Sequence, residues 1–274
     1  EKASVRAVNI SDSQDHSPTQ NITIANNTIK VQTRAIWVND ARFVIISNND
    51  IHKTDSSLPA IGISYTDGRQ GTSDIVTNGN SLFLKKGRGI MIEGSTNLKN
   101  IIVSDNYIYT EDRNDSENIS IYVLQSELVT IKGNVIRGGY FGIYANSDAQ
   151  SLSILQNDIE GLASHGIFTS SDDVYIAFNI SRNNNNGIRI TGTAKLFMNN
   201  AIGNSQDIYD LSSSARVNLE NNMLRYGYSS STNWKDTHIM LGSYHIWVDS
   251  SGLLRIKSGS PTSESDGTVV GTQS

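Results

Sequence analysis

The chain contains no cysteine. That excludes disulfides, thiolate metal sites and a cysteine nucleophile. Proline is scarce, with three in 274 residues, and aromatic residues make up only 7%. No apolar run approaches the roughly 18 residues that a membrane span needs, so no membrane insertion is expected. The formal net charge is -5 and no basic run tracks a phosphate backbone, which argues against a nucleic-acid partner. Five histidines, His16, His52, His165, His238 and His245, are scattered without ligand spacing. The acidic runs "SDSQD" and "DRNDSEN" match no defined calcium loop. No phosphate loop, nucleophile elbow or dinucleotide fingerprint occurs, so neither a metal nor a cofactor is expected. Long amphipathic helices are missing too, because apolar residues alternate at period two rather than 3.6.

What is present is isoleucine, asparagine, serine and glycine in a repeating phrase. "ITIAN" ends at Asn27, "VIISN" at Asn49, "IVTNGN" at Asn80, "IIVSDN" at Asn106 and "VTIKGN" at Asn134. "LSILQN" ends at Asn157, "VYIAFN" at Asn179, "KLFMNN" at Asn200 and "VNLENN" at Asn222. Successive gaps are 22, 31, 26, 28, 23, 22, 21 and 22 residues. Between them stands Gly-Ile-x-apolar: "GIMI", "GIYA", "GIFT" and "GIRI", with "AIWV" and "SIYV" as variants. A short period with two such phrases reads as one coil of a β-solenoid, whose coils bury their apolar side chains only by stacking. Residues 1–224 are therefore expected to form an all-β, single-stranded parallel β-helix of about nine coils of ~22 residues. Ile36, Ile61, Ile90, Ile121, Ile143, Ile167, Ile188 and Ile208 would form one internal ladder. The asparagines would bond backbone groups at the bends, where asparagine also tolerates left-handed geometry.

Three insertions lengthen the gaps: 52–60, 66–74 and 109–118. Their flanking loops carry Asp55, Asp67, Arg69, Asp74, Glu111, Asp112, Arg113, Asp115 and Glu117, and loops on a solenoid's flank commonly carry function. From residue 225 the repeat stops. "HIWVDSSGLLRI" reads as a β-hairpin around Ser-Ser-Gly, and the remainder as extended chain. Residues 225–274 are expected to cap the solenoid's open end or to mediate oligomerisation.

Side chains beside the inward isoleucines should face out. They are Trp37, Gly62, Met91, Tyr122, Tyr144, Phe168, Arg189 and Tyr209, a stripe rich in aromatics. Such a stripe suits either an extended glycan, with Arg69 and Arg88 nearby, or an interface between copies of the chain. Two residues further on, Glu93 is the only carboxylate in its column. Glycoside hydrolysis uses two carboxyls about 5–9.5 Å apart, and neighbouring coils are about 4.8 Å apart. Glu93 with Asp67 or Asp112 is the expected catalytic pair. Lys85, Lys86 and Arg88 would instead serve a lyase or epimerase by pairing with a uronate. A non-catalytic binding rod would use the stripe alone.

The tail "IWVDSSGLLRIKSGSPTSESDGTVVGTQS" resembles a C-terminal segment recurring in phage and prophage tail proteins. The Asn-marked coils resemble the β-helical body of phage tailspikes and pectate-lyase-like enzymes. The resemblance implies right-handed coiling and a homotrimer located on the virion, outside the host cell. It also implies recognition, and often cleavage, of a bacterial surface polysaccharide. The chain opens at Glu1 rather than Met, so the expectation includes further chain upstream that would join a phage baseplate or tail.

Overall fold

The structure is a computed structural model. It describes residues 6–11, 18–53, 60–66, 71–94, 98–210, 218–220, 239–241, 244–249, 251–258, 263 and 265–271. Two compact units divide the chain, Glu1–Leu224 and Arg225–Ser274.

The first unit is a parallel β-solenoid whose coils have three faces. In the second coil, Arg34–Asn39 lies on the first face, Ala41–Ser47 on the second and Asp50–Lys53 on the third. Each strand pairs in parallel with its counterpart one coil away, as Ile36 with Ile63 and Ile51 with Leu82. In the fifth and sixth coils the first two faces are one continuous strand, Ile119–Lys132 and Phe141–Leu155. Eight coils stack in this way, and Gln206–Asp210 with Asn218–Glu220 begin a ninth.

Alternation dictates what is inside. Along Asp50–Lys53 and Ser81–Leu84 every second side chain is buried. The internal ladder runs Ile36, Ile63, Ile90, Ile121, Ile143, Ile167, Ile188 and Ile208. Ile63 stands where Ile61 was expected. A slip of two residues keeps the same facing, so alternation alone does not detect it. The recurring glycines also have a packing reason. A Cβ on Gly89 would run into the carbonyl of Ser120, and one on Gly142 into that of Gly166.

The bend between the second and third faces is built by the asparagines. Asn106 Oδ1 accepts the backbone N–H of Asn80 at 3.0 Å and its Nδ2–H at 2.9 Å. Asn106 Nδ2 donates to Thr77 O and to Asn134 Oδ1, both at 3.0 Å. The same pattern links Asn49 to Asn80, Asn134 to Asn157, Asn157 to Asn179 and Asn179 to Asn199. Asn199 and not Asn200 holds the last described rung, and Asn222 lies outside the described residues. Each amide thus uses both N–H groups and accepts twice on its oxygen while fully buried. The left-handed residue is the one before each asparagine: Asn26, Asn48, Gly79, Asp105, Gly133, Gln156, Phe178 and Met198.

The second unit contains a four-stranded antiparallel sheet. Tyr244–Val248 and Leu254–Ser258 form the expected hairpin. Asp249 organises its turn by accepting the N–H groups of Ser251 and Leu253, both at 2.9 Å. Ile239–Leu241 and Thr268–Val269 extend the sheet on either side, where only extended chain was expected.

Replacing Asn106 by alanine strips buried donors and acceptors from two neighbouring coils. The expected loss is roughly 2–4 kcal/mol, read as a lower urea midpoint with an unchanged slope. Asn200→Ala, one position off the ladder, should shift the midpoint far less.

Candidate functional site

The outward stripe forms on the first face because parallel pairing stacks like positions. Trp37 pairs with Ser64, Ser64 with Met91, Met91 with Tyr122, and then follow Tyr144, Phe168, Arg189 and Tyr209. Ser64 occupies the place given to Gly62. The rings cover one another: Tyr122 and Tyr144 are 5.3 Å apart, and Tyr144 and Phe168 4.7 Å. Phe141 packs on Tyr144 at 5.2 Å and on His165 at the same distance. Trp37 donates its indole N–H to Thr66 Oγ1 at 2.9 Å. The stripe is therefore half-buried rather than an open apolar patch. Met91 is a correction: it is 3% exposed, with the Arg88 guanidinium 3.3 Å from its sulfur, so it offers a ligand no surface.

Arg88 joins the stripe to the third insertion. Its guanidinium lies 4.6 Å over the Tyr122 ring and forms an ion pair with Glu117. Lys86 pairs with Asp115 at 2.6 Å. That bond holds the Asp115 carboxyl below its ordinary value, with help from the Glu117 N–H. Backbone bonds seat the loop, from Glu111 N–H to Leu84 O at 2.9 Å and from Asp112 N–H to Lys85 O at 3.1 Å. Beside it opens a cleft of about 650 Å³ lined by Lys85, Glu111, Asp112, Arg113, Asn114 and Ala163. Two carboxylates and two cations thus share one open recess.

Glu93 and Asp112 are not brought together. Asn118 accepts the Gly87 N–H at 2.7 Å and donates to the Asp112 carbonyl at 3.0 Å, so Asp112 is tied to the Gly87 end of the strand. Glu93 ends that strand, pairing with Thr66 and, across a register shift, with Gln125. Gly87–Glu93 spans seven residues, so at about 3.3 Å per residue its ends stand on the order of 20 Å apart. That is too far for a shared glycosidic bond. Asp67 and Arg69 lie outside the described residues. Of the three cations assigned to a lyase, Lys86 and Arg88 are engaged with Asp115 and Glu117, while Lys85 lines the cleft.

Two clusters had no signal in the sequence. On the third face, Arg137 and Arg182 bracket Asp158 and Glu160, with N–O distances of 2.6 to 3.8 Å. Hydrogen bonds from Asn183 and then Arg182 outweigh burial and lower the Glu160 carboxyl from its ordinary value. On the first face, Arg189 Nη1 meets His165 Nε2 at 2.8 Å. These residues sit a full coil apart in sequence, with no motif joining them. Among the described residues no group of three or more His, Asp or Glu is placed to hold a metal ion.

Residues 99–224 match the family described as right handed beta helix region. Residues 184–272 match the family described as capsule depolymerase. No curated protein matches the chain. One solved structure it is similar to is bacteriophage CBA120 tailspike protein 2, enzymatically active domain. That likeness has a TM-score of 0.32 and 11% identity, and it covers 88% of this chain. The chain spans about half of that structure's length, 54%. The first unit is thus a parallel β-solenoid that, over residues 99–224, is similar to right-handed β-helix proteins. Over its last third the chain is similar to capsule depolymerases.

Burial, and secondarily the Arg189 charge, lower the His165 imidazole from its ordinary 6.5 to about 4. The unfolded chain therefore binds the extra proton first as pH falls. The stability that neutral His165 contributes is complete above pH 6.5 and is lost progressively toward pH 4. The expected loss is on the order of 2–3 kcal/mol. Urea midpoints measured across this range should fall less steeply for His165→Gln than for the unchanged protein.

Proposed function

We propose that the protein binds and hydrolyses a bacterial surface polysaccharide. The carrying observation is the recess at the third insertion, where Glu111 and Asp112 stand with Lys85 and Arg113. The Glu117–Arg88–Tyr122 contacts link that insertion to the aromatic stripe. The capsule depolymerase match over residues 184–272 supports the same reading. The glycan runs along the ring edges of Tyr122, Tyr144, Phe168 and Tyr209, and its scissile bond enters the recess. One carboxyl of the Glu111–Asp112 pair protonates the leaving glycosidic oxygen and the other activates water. Lys85 and Arg113 hold polar groups of the sugar. The protein acts as a homotrimer on a phage tail, outside the host cell, as the tail-like C-terminal segment implies.

A second reading is a binding rod without catalysis. It is favoured by the ion pairs that already engage Asp115, Glu117, Asp158 and Glu160.

The test is incubation with a panel of purified capsular and O-antigen polysaccharides, with released fragments weighed by mass spectrometry. Hydrolysis gives saturated fragments, each cleavage adding one water. Asp112→Asn should then lower turnover about 100-fold or more with binding retained. Glu93→Gln should leave turnover within about threefold, since it stands at the far edge of the face. The opposite ranking would move the chemistry to Glu93 and Asp67. Fragments with unsaturated, ultraviolet-absorbing ends would establish a lyase, and binding without fragments a receptor-binding rod.

A further inference from the structure

The arginines of the coils differ in what they face. Arg88, Arg137 and Arg182 each face a carboxylate. Arg189 does not. Its guanidinium lies 5.2 Å over Phe168 on one side and 5.5 Å over Tyr209 on the other. One Nη1–H points to the neutral imidazole of His165 at 2.8 Å, and the Nε–H is buried with no partner. A protein does not ordinarily hold a half-buried cation without a counter-ion.

The surroundings show what that cation suits. Rings on both faces of a guanidinium strip its weak hydration there and leave its edge as the route for a ligand. The His165 contact fixes the plane of the fork. Ser164 Oγ lies 3.3 Å from His165 Nδ1, which fixes the imidazole in turn. A planar fork with oriented Nη donors and no internal carboxylate matches a planar two-oxygen anion in bidentate geometry. Arg189 also stands in the same stripe of parallel rungs as Tyr122, Tyr144 and Phe168.

We infer that Arg189 is the anchor for a carboxylate on the polysaccharide, so the ligand is an acidic glycan with a uronic or other carboxyl-bearing sugar in its repeat. The inference rests on the polysaccharide reading above and adds the class of sugar. Phe168 and Tyr209 pack against the guanidinium, and the same rings can meet the C–H faces of adjoining sugars. His165 is a positioning residue that acts through Arg189.

The experiment measures binding to the same polysaccharide panel, each acidic member in native form and after carbodiimide–borohydride reduction of its carboxyls. Reduction keeps the linkages and removes the charge. The full chain should bind one or more native acidic polymers, and reduction should weaken that binding at least tenfold, about the value of one charge-assisted bidentate contact. Arg189→Gln should bind native and reduced forms alike. Arg189→Lys, which keeps the charge without the fork, should retain only part of the preference and covers the case in which the glutamine variant fails to fold. A protein that binds native and reduced polymers equally would overturn the anchor while leaving the polysaccharide reading intact. So would a folded Arg189→Gln that keeps the full preference. No binding to any polymer in either form would overturn both.

Discussion

The rest of the structure depends on the buried amide ladder. A solenoid coil must bend its chain where backbone pairing is interrupted, and a bend inside a dry core leaves polar groups that cost about 1–3 kcal/mol each if unpaired. The asparagine ladder removes that problem by letting each side chain stand in for the missing backbone partner. Every amide is satisfied by the coils on both sides, as in the run from Asn80 through Asn106 to Asn134. No coil can shift in register without breaking the rungs above and below. The ladder is strong enough to hold Phe178 and Met198 in left-handed backbone geometry, which such side chains disfavour. Both side chains are left pointing to solvent as a consequence.

Register then turns a coil into a ruler. Once the ladder fixes the bend, each outward position repeats at the spacing of paired strands, about 4.8 Å. Aromatic residues at one position must stack on each other, as Tyr122, Tyr144 and Phe168 do. The same stacking explains why the stripe is half-buried and why Met91 disappears beneath Arg88. Apolar side chains that stay open are elsewhere, such as Phe43 and Leu128, at left-handed positions within strands. Exposure in this fold is set less by residue type than by whether the neighbouring coil offers a cover.

This also shows why the fold was legible in the sequence and the site only partly so. The coils were readable because one physical demand recurs at every turn and leaves the same residue behind each time. Errors in the ladders, Ile61 for Ile63 and Asn200 for Asn199, were slips that local pattern could not resolve. The pairing of Glu93 with Asp112 failed for a geometric reason. Two side chains on a solenoid need two coordinates, one along the axis and one across the face. Counting coils supplies the first and places Glu93 one rung from the third insertion. The second coordinate puts them at opposite ends of Gly87–Glu93, and it depends on where the inserted loop leaves the third face. The Arg189–His165 contact was invisible because it joins neighbouring coils and His165 stands one residue before its own Gly-Ile phrase.

Net charge was the least informative quantity. A value of -5 argues against a nucleic-acid partner. The field that a bound sugar meets is local, however. In water at physiological salt, charges more than about 8 Å away are largely screened. Asp115 and Glu117 are engaged with Lys86 and Arg88, which offset their charge. Arg189 has no such compensation, and its aromatic surroundings lower the local dielectric, so its charge is felt more strongly than its share of the total suggests. An acidic protein can therefore hold an acidic polymer if the anion is received at a few desolvated cations. That arrangement favours specificity, because a carboxylate in the wrong place gains nothing from the guanidinium and meets the acidic loop instead.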